Sequence, residues 1–249
     1  MAERVSIALV YPELLGAYSD RCNAEALAAR AAEHGLAPDV VMVHAPEPVP
    51  AGLDVYLLGG GGGADLAWAA ALLRSRAGDG LRLAVGSGRP VLAVGGAFQL
   101  LGRATVTTAG DRIEGLGLLD LQTWAASPRL VGDLVVRTPE GELLTGFEHH
   151  AGRTVLGRGL APLGTVLRGA GNNGADATDG VRYGSLIGTY LHGPVLTRNP
   201  RLADRLLASV LAERDLALGA SAPLPLHEAA ELYLAGLEAA LTGTGPPLA

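Results

Sequence analysis

Hydrophobic positions in the first hundred residues fall in short, nearly continuous runs. Val5 to Val10 is such a run, and it gives way to a loop carrying Pro12, Gly16 and Asp20, the pattern of a buried parallel strand entering a surface loop. Asn23 to His34 is rich in Ala and Leu and predicts a helix, with Asn23 placed to cap its start and Gly35 to end it. Val40 to Val43 predicts a second strand. Val55 to Leu58 predicts a third, running into five consecutive glycines from Gly59. A helical pattern resumes from Asp65 to Arg76. Val91 to Val94 then predicts a fourth buried strand, turning through Gly95 and Gly96 into a helix at Phe98 to Leu101. Strand and helix alternate throughout this half, which implies parallel βαβ units with a ligand site beyond the carboxyl ends of the strands.

From Arg103 to Arg168 the pattern changes. Short β-like pieces such as Leu134 to Arg137 and Thr165 to Leu167 are separated by Gly, Pro and Asp, and predict an antiparallel meander. Ser185 to Leu191 returns as a strand ending at His192. Asn199 to Glu213 predicts a helix with Pro200 in its first turn, and Leu226 to Leu241 a further amphipathic one. There is no internal repeat. The expected fold class is therefore α/β, a mainly parallel sheet flanked by helices with an antiparallel β extension. Residues 1–242 form one domain in this reading, and 243–249 a loose Gly-Pro-rich tail.

Composition narrows the chemistry. A 49% apolar content supports a substantial core, and a formal charge of −6 argues against a phosphate-tracking nucleic-acid surface. Small molecules or protein partners are expected instead. All 19 basic residues are Arg, so neither a P-loop lysine nor a Schiff-base lysine exists here. The single cysteine, Cys22, cannot make an internal disulfide. No signal-peptide pattern opens the chain, so a reducing cytosol is the expected compartment. Apolar runs are broken well before the ~20 residues that span a bilayer, and no membrane span is expected.

Four places invite a chemical reading. Gly59 to Gly63 could cradle phosphate, but a dinucleotide fingerprint belongs after the first strand, so an oxyanion-type or flexible loop is the better reading and no cofactor is expected. His192 stands at the carboxyl end of a strand, where α/β enzymes present catalytic groups. His149 and His150 are adjacent on a strand, point to opposite faces, and are not expected to share a metal. Val94-Gly95-Gly96-Ala97-Phe98 has the shape of a nucleophile elbow, a buried strand turning sharply into a helix, yet none of Gly95, Gly96 or Ala97 carries a nucleophile.

Several blocks together carry a resemblance. Val10-Tyr11-Pro12-Glu13-Leu14-Leu15 with Tyr18-Ser19-Asp20-Arg21-Cys22-Asn23 opens the chain. Pro90 to Val94 followed by Gln99-Leu100-Leu101-Gly102 comes next, and then Gly115 to Asp120, Gly146 to His150, Gly169 to Asn173 and Thr189 to Pro194 in order. In these blocks the chain resembles the GatD-like, CobB/CobQ-type class I glutamine amidotransferases. The resemblance implies that an elbow cysteine attacks the amide of glutamine and that a histidine at the His192 position is its base. Ammonia then passes to a Mur-ligase-like (MurT-type) partner, which spends ATP to activate the lipid II D-glutamate carboxylate. It also implies that Arg129 holds the glutamine substrate, in a pocket with Gly60, Gly96 and Gln99.

The departures from that pattern shape the functional expectation. The family's cysteine aligns with Gly95, and the glycine run Gly59 to Gly63 replaces the usual polar residues of the neighbouring loop. A thiolate works by forming a thioester that splits amide hydrolysis into two steps; glycine offers nothing in its place. The favoured expectation is a natural pseudo-amidotransferase subunit that binds and supports a MurT-like partner, as a heterodimer or larger complex, while the partner uses free ammonia or another amine. A deliberate knockout would change the cysteine and leave the loop intact, which makes an inactivated mutant the second reading. A third is an active enzyme using Cys22, on the same rim as His192. A sensor that binds glutamine or another small carboxylate at Arg129 without cleaving it is a further alternative.

Overall fold

The computed structural model describes residues 2–221 and 225–242. In chain order the first half contains β1 (Arg4–Val10), α1 (Cys22–Glu33), β2 (Ala37–Val43), β3 (Val55–Leu58), α2 (Gly63–Arg74), a short 3-10 turn (Arg76–Gly78), α3 (Asp79–Gly86), β4 (Val91–Val94) and α4 (Gly96–Leu100). The strands β5 (Ala104–Val106), β6 (Arg112–Glu114), β7 (Leu121–Arg137), β8 (Leu143–Leu156), β9 (Gly164–Arg168), β10 (Thr178–Asp179), β11 (Val181–Tyr183) and β12 (Leu186–Thr189) follow, and α5 (Val195–Arg198), α6 (Pro200–Ala212) and α7 (Pro225–Leu241) close the chain.

The main sheet has the order β11-β12-β4-β3-β1-β2, and every pair in it is parallel except β11 with β12. Strands β3, β4 and β12 are buried at every position, which is why they read as unbroken apolar runs. Ile7, Leu57 and Leu92 from the sheet and Leu27, Phe98 and Leu206 from the helices lie within one core. The fold class is thus the α/β arrangement read from the sequence. Among the described residues no helix is long and apolar enough to cross a membrane.

A second sheet, ordered β10-β9-β7-β5-β6 with β8 on β7, supplies the antiparallel part. Its backbone is one long ribbon rather than a series of short strands. Leu134 to Arg137 is only the end of the 17-residue β7, which pairs with the 14-residue β8 along both their lengths. Pro128 does not break β7, because it falls where the register shifts between Ala125 and Leu130, and a bulge absorbs a residue that cannot donate to the ladder.

Several local expectations need correction. Asn23 lies inside α1, not at its cap. The N-cap is Arg21 without a side-chain bond, and Asn23 Oδ1 instead accepts Leu196 N of α5 at 2.9 Å. Helix α2 begins at Gly63, before Asp65, and α4 begins at Gly96, because helical turns can start on glycine when the preceding strand end fixes the entry direction. Helix α3 and the hairpin partner β11 were absent from the sequence reading. Helix α7 follows the predicted span from Pro225, and the tail 243–249 lies outside the described residues.

Candidate active site

Four loops leave the carboxyl edge of the parallel sheet side by side, one each from β1, β3, β4 and β12, and they bring Asp20, Gly60, Gly95 and His192 together. The β1 loop is tightly wound, with Tyr11, Tyr18 and Ser19 at positive φ (49°, 56° and 64°), and this delivers Asp20 into the interior. Asp20 is 1% exposed and its Oδ2 accepts two hydrogen bonds, from Gly60 N at 2.7 Å and from His192 Nδ1 at 2.9 Å. One carboxylate therefore pins the glycine loop and fixes the ring of His192 so that its Nε2 points at Gly95.

His192 is held at every other point as well. Its main chain exchanges two hydrogen bonds with Phe147 of β8, N to O at 2.9 Å and O from N at 3.1 Å. Its ring lies over Phe147 with centroids 5.6 Å apart, and Tyr18 meets it edge-on at 4.8 Å. This is the immobilised imidazole that general-base chemistry requires, with a carboxylate on the far nitrogen to set its orientation.

Gly95 sits at φ 56°, ψ −113°, between the last residue of β4 and the first of α4, and its N donates to Thr189 O at 2.9 Å. This is the sharp strand-to-helix turn of a nucleophile elbow. A Cβ built on Gly95 would stand 2.9 Å from His192 Nε2 and 2.7 Å from its Cε1, so a side chain here would meet the imidazole directly. Gly95 therefore presents only backbone to His192, and any side chain there would require the imidazole to shift.

The glycine run has two distinct causes. Cβ atoms at Gly59, Gly60 and Gly61 would lie 2.2 Å from Leu15 O, 2.9 Å from His192 Cε1 and 2.6 Å from Leu14 O, so these three are demanded by close packing rather than by flexibility. Gly62 and Gly63 meet nothing within 4 Å, and of the two Gly63 is at φ 56°. Gly96 touches the same loop, since its Cβ would come 2.9 Å from Gly61 N. An oxyanion-type use of these backbone amides is compatible with that contact, and the close packing at Gly59 to Gly61 does not extend to Gly62 and Gly63.

These loops and the ribbon enclose a cavity of about 550 Å³. Gly60, Gly95, Gly96, Gln99, Arg129 and His192 all line it, so the structure brings these sequence-predicted residues to one place. Cys22 does not line it: the cysteine is the half-buried first residue of α1. Gln99 Nε2 donates to Tyr190 Oη at 3.2 Å. Tyr190 in turn bonds Thr154 Oγ1 at 2.7 Å, and burial pushes its phenol up to about 12. Arg129 is exposed at the cavity, its Nη2 donating to His149 O at 2.9 Å. His149 lies below the usual imidazole range, through partial burial first and then the Arg129 charge. His150, on the opposite face of β8, is buried against Tyr190 with the rings stacked 3.6 Å apart.

A family model for the CobB/CobQ-like glutamine amidotransferase domain matches residues 6–200. This chain belongs to that family. Members of the CobB/CobQ-like family similar to it include the lipid II isoglutaminyl synthase (glutamine-hydrolyzing) subunit GatD of Staphylococcus aureus, 38% identical over 81% of this chain and 82% of that one. The GatD of Streptococcus pneumoniae is 41% identical over 57% of each chain. The cobyric acid synthase of Mycolicibacterium gilvum is 36% identical over 71% of this chain but only 34% of its own length, so this chain spans about a third of that protein. Among solved structures, PurLQS from Thermotoga maritima superposes with a TM-score of 0.57 at 18% identity, covering 86% of this chain and 100% of the other. The glutaminase domain of Trypanosoma brucei CTPS gives 0.52 at 14% identity over 86% and 96%. These two likenesses concern the fold.

Sequence reasoning missed Asp20 as a site residue, although it lies in the opening block and in the first strand-end loop of a parallel sheet, where a functional carboxylate is expected. Tyr18 and Phe147 lie in two of the blocks that carry the resemblance, but nothing local marks their packing against the ring of His192.

Proposed function

We propose that this chain is an amidotransferase-like subunit of a lipid II isoglutaminyl synthase-type complex that no longer hydrolyses glutamine and supports a Mur-ligase-like, MurT-type partner. The observation that carries the reading is Gly95: the elbow presents a bare backbone to His192 Nε2, in a relay otherwise complete from Asp20 onward. Without a thiol no thioester forms. A site of this kind loses on the order of 10⁶ in turnover when its nucleophile is removed. The partner, in this reading, takes free ammonia or another amine to the activated carboxylate. The likeness to GatD over most of both chains supports the choice of complex. Cys22 is not favoured as a substitute nucleophile, because it stands outside the cavity that holds His192.

The test is ammonia release from glutamine by the purified chain, alone and with a co-expressed Mur-ligase-like protein, combined with co-elution of the two. Stable co-elution with no ammonia release is the expected result. Steady glutamine-dependent release would overturn the non-hydrolytic reading, and failure to co-elute would overturn the supporting role.

A further inference from the structure

His192 is 2% exposed, yet one of its ring nitrogens is unengaged. Nδ1 bonds Asp20 Oδ2 at 2.9 Å, and that oxygen also accepts Gly60 N. The ring hydrogen therefore sits on Nδ1, and the lone pair of the neutral imidazole is on Nε2. Among the described residues Nε2 has no hydrogen-bond partner. It is not sealed away, since His192 lines the cavity with Gly60, Gly61, Gly95 and Gly96. A basic atom on a buried, immobilised side chain and aimed into a cavity is a point of attachment for a molecule with a hydrogen to give. The place beside it suits something small and unattached. A Cβ on Gly95 is tied to its Cα and would fall 2.7 Å from Cε1 and 2.9 Å from Nε2, while its next neighbour, Gly60 Cα, is 3.5 Å away. A water molecule is under no such tie, and can settle slightly farther out at ordinary hydrogen-bond distance from Nε2 without moving the ring. Gly61 N, on the same wall, donates to no acceptor among the described residues.

We infer that the cavity hydrolyses small activated acyl compounds, carboxylic esters and thioesters, by direct attack of a water that His192 holds and deprotonates. The water gives a proton to Nε2 as its oxygen bonds the acyl carbon, and the carbonyl electrons move onto the carbonyl oxygen, to which Gly61 N donates. When those electrons return, the bond to the leaving oxygen or sulfur breaks, and that atom takes the proton from Nε2. The products are a carboxylic acid and an alcohol or thiol, with no covalent enzyme intermediate. Magnitudes set the substrate class. A positioned base contributes typically ~10²–10⁴ to a rate, well short of the ~10⁶ that a site of this kind loses with its nucleophile. That shortfall leaves an unactivated amide such as glutamine intact, whereas an ester with a good leaving group needs far less assistance. The inference rests on the reading of an elbow without a nucleophile.

Turnover of p-nitrophenyl acetate and S-phenyl thioacetate by the complete chain tests the assignment, with glutamine assayed alongside. Hydrolysis about a hundredfold or more above the uncatalysed reaction is expected, over many turnovers, with no initial burst and with a normal solvent deuterium isotope effect. His192→Ala should lower the rate at least tenfold. Gly95→Ala should do the same, because its methyl takes the place of the water while Asp20 and His192 remain, and it decides the matter if His192→Ala does not fold. His44→Ala, on the surface outside the cavity, should change nothing. A rate no higher than an equal concentration of free imidazole gives, full activity in Gly95→Ala, or a burst without an isotope effect would each overturn the inference, the last because it marks attack by a side chain. Ammonia keeps the two readings apart. Release from glutamine would sink the non-hydrolytic function, whereas failure on both acyl compounds without ammonia release would sink only this inference.

Discussion

On one side of the cavity His192 is fixed by Asp20, Phe147 and Tyr18; on the other, Gly95 offers only its backbone. The two sides are only a side chain apart, yet they are built to different standards. The difference lies in what each side does for the fold. Asp20 joins the β1 loop to the β3 loop through Gly60, and His192 joins the parallel sheet to the ribbon through Phe147, so the relay is also a set of structural fasteners. A side chain at Gly95 would fasten nothing. Persistence of a buried His–Asp pair is therefore poor proof of turnover, because unmaking it would leave buried polar groups unsatisfied whether or not any chemistry depends on it.

The largest effect that would break this comparison is gained activity. Gly95→Cys supplies the nucleophile, and ammonia release in a coupled assay is expected to rise by two or more orders of magnitude, of the ~10⁶ separating nucleophile-bearing from nucleophile-free sites. Recovery should remain partial, since the new Cβ would start 2.7 Å from Cε1 of a ring that cannot easily move aside. No release at all would mean that the substrate side has been lost with the nucleophile. Asp20→Ala probes the other half. It strands Gly60 N and His192 Nδ1 in the interior, and chemical denaturation should report a loss of about 2–6 kcal/mol, ~1–3 for each desolvated group. A loss under ~0.5 kcal/mol would show that the relay is not a fastener.

A smaller effect concerns Asp179, which accepts Thr189 Oγ1 at 2.5 Å and Tyr190 N at 3.3 Å at the end of β12, just before His192. Full burial raises its carboxyl from 3.8 to about 7. Between these values the native chain holds a proton that the unfolded chain has lost, so this group's contribution to stability is complete below pH 3.8, falls as pH rises, and is flat above 7. Asp179→Asn should remove that slope, which is at most ~1.4 kcal/mol per pH unit, seen as a difference between the two proteins in chemical denaturation across pH 4 to 7. An unchanged slope would place the titration elsewhere. Cys22→Ser should have the least effect: stability within ~0.5 kcal/mol and no change in ammonia release. A measurable loss of activity would instead make Cys22 the nucleophile.

Much of this was legible in the sequence. Buried parallel strands announce themselves as apolar runs, so β1, β3, β4 and β12 and the loops after them were legible, and with them the positions of Gly95 after β4 and His192 after β12. What escaped depends on distance along the chain. Asp20 and His192 are 172 residues apart, and neither carries a local sign of the other. The glycine run was read as a flexible loop or an oxyanion cradle. At Gly59 to Gly61 it records the approach of the β1 loop and His192, a packing constraint visible only once those groups are in place. The β7–β8 ribbon was read as fragments because Pro128 and Gly132 look like breaks when the bulge that accommodates them is not known.

The paired hydrogen bonds between Phe147 and His192 have a mechanical consequence. They rivet the 14-residue β8 to the parallel sheet at His192 itself, with a further joint where Asn199 Nδ2 donates to Thr145 O and Oδ1 accepts Thr145 N. The ribbon is thus tied to the parallel sheet through the main chain of His192 itself, so a displacement of one against the other would disturb the site that lies between them.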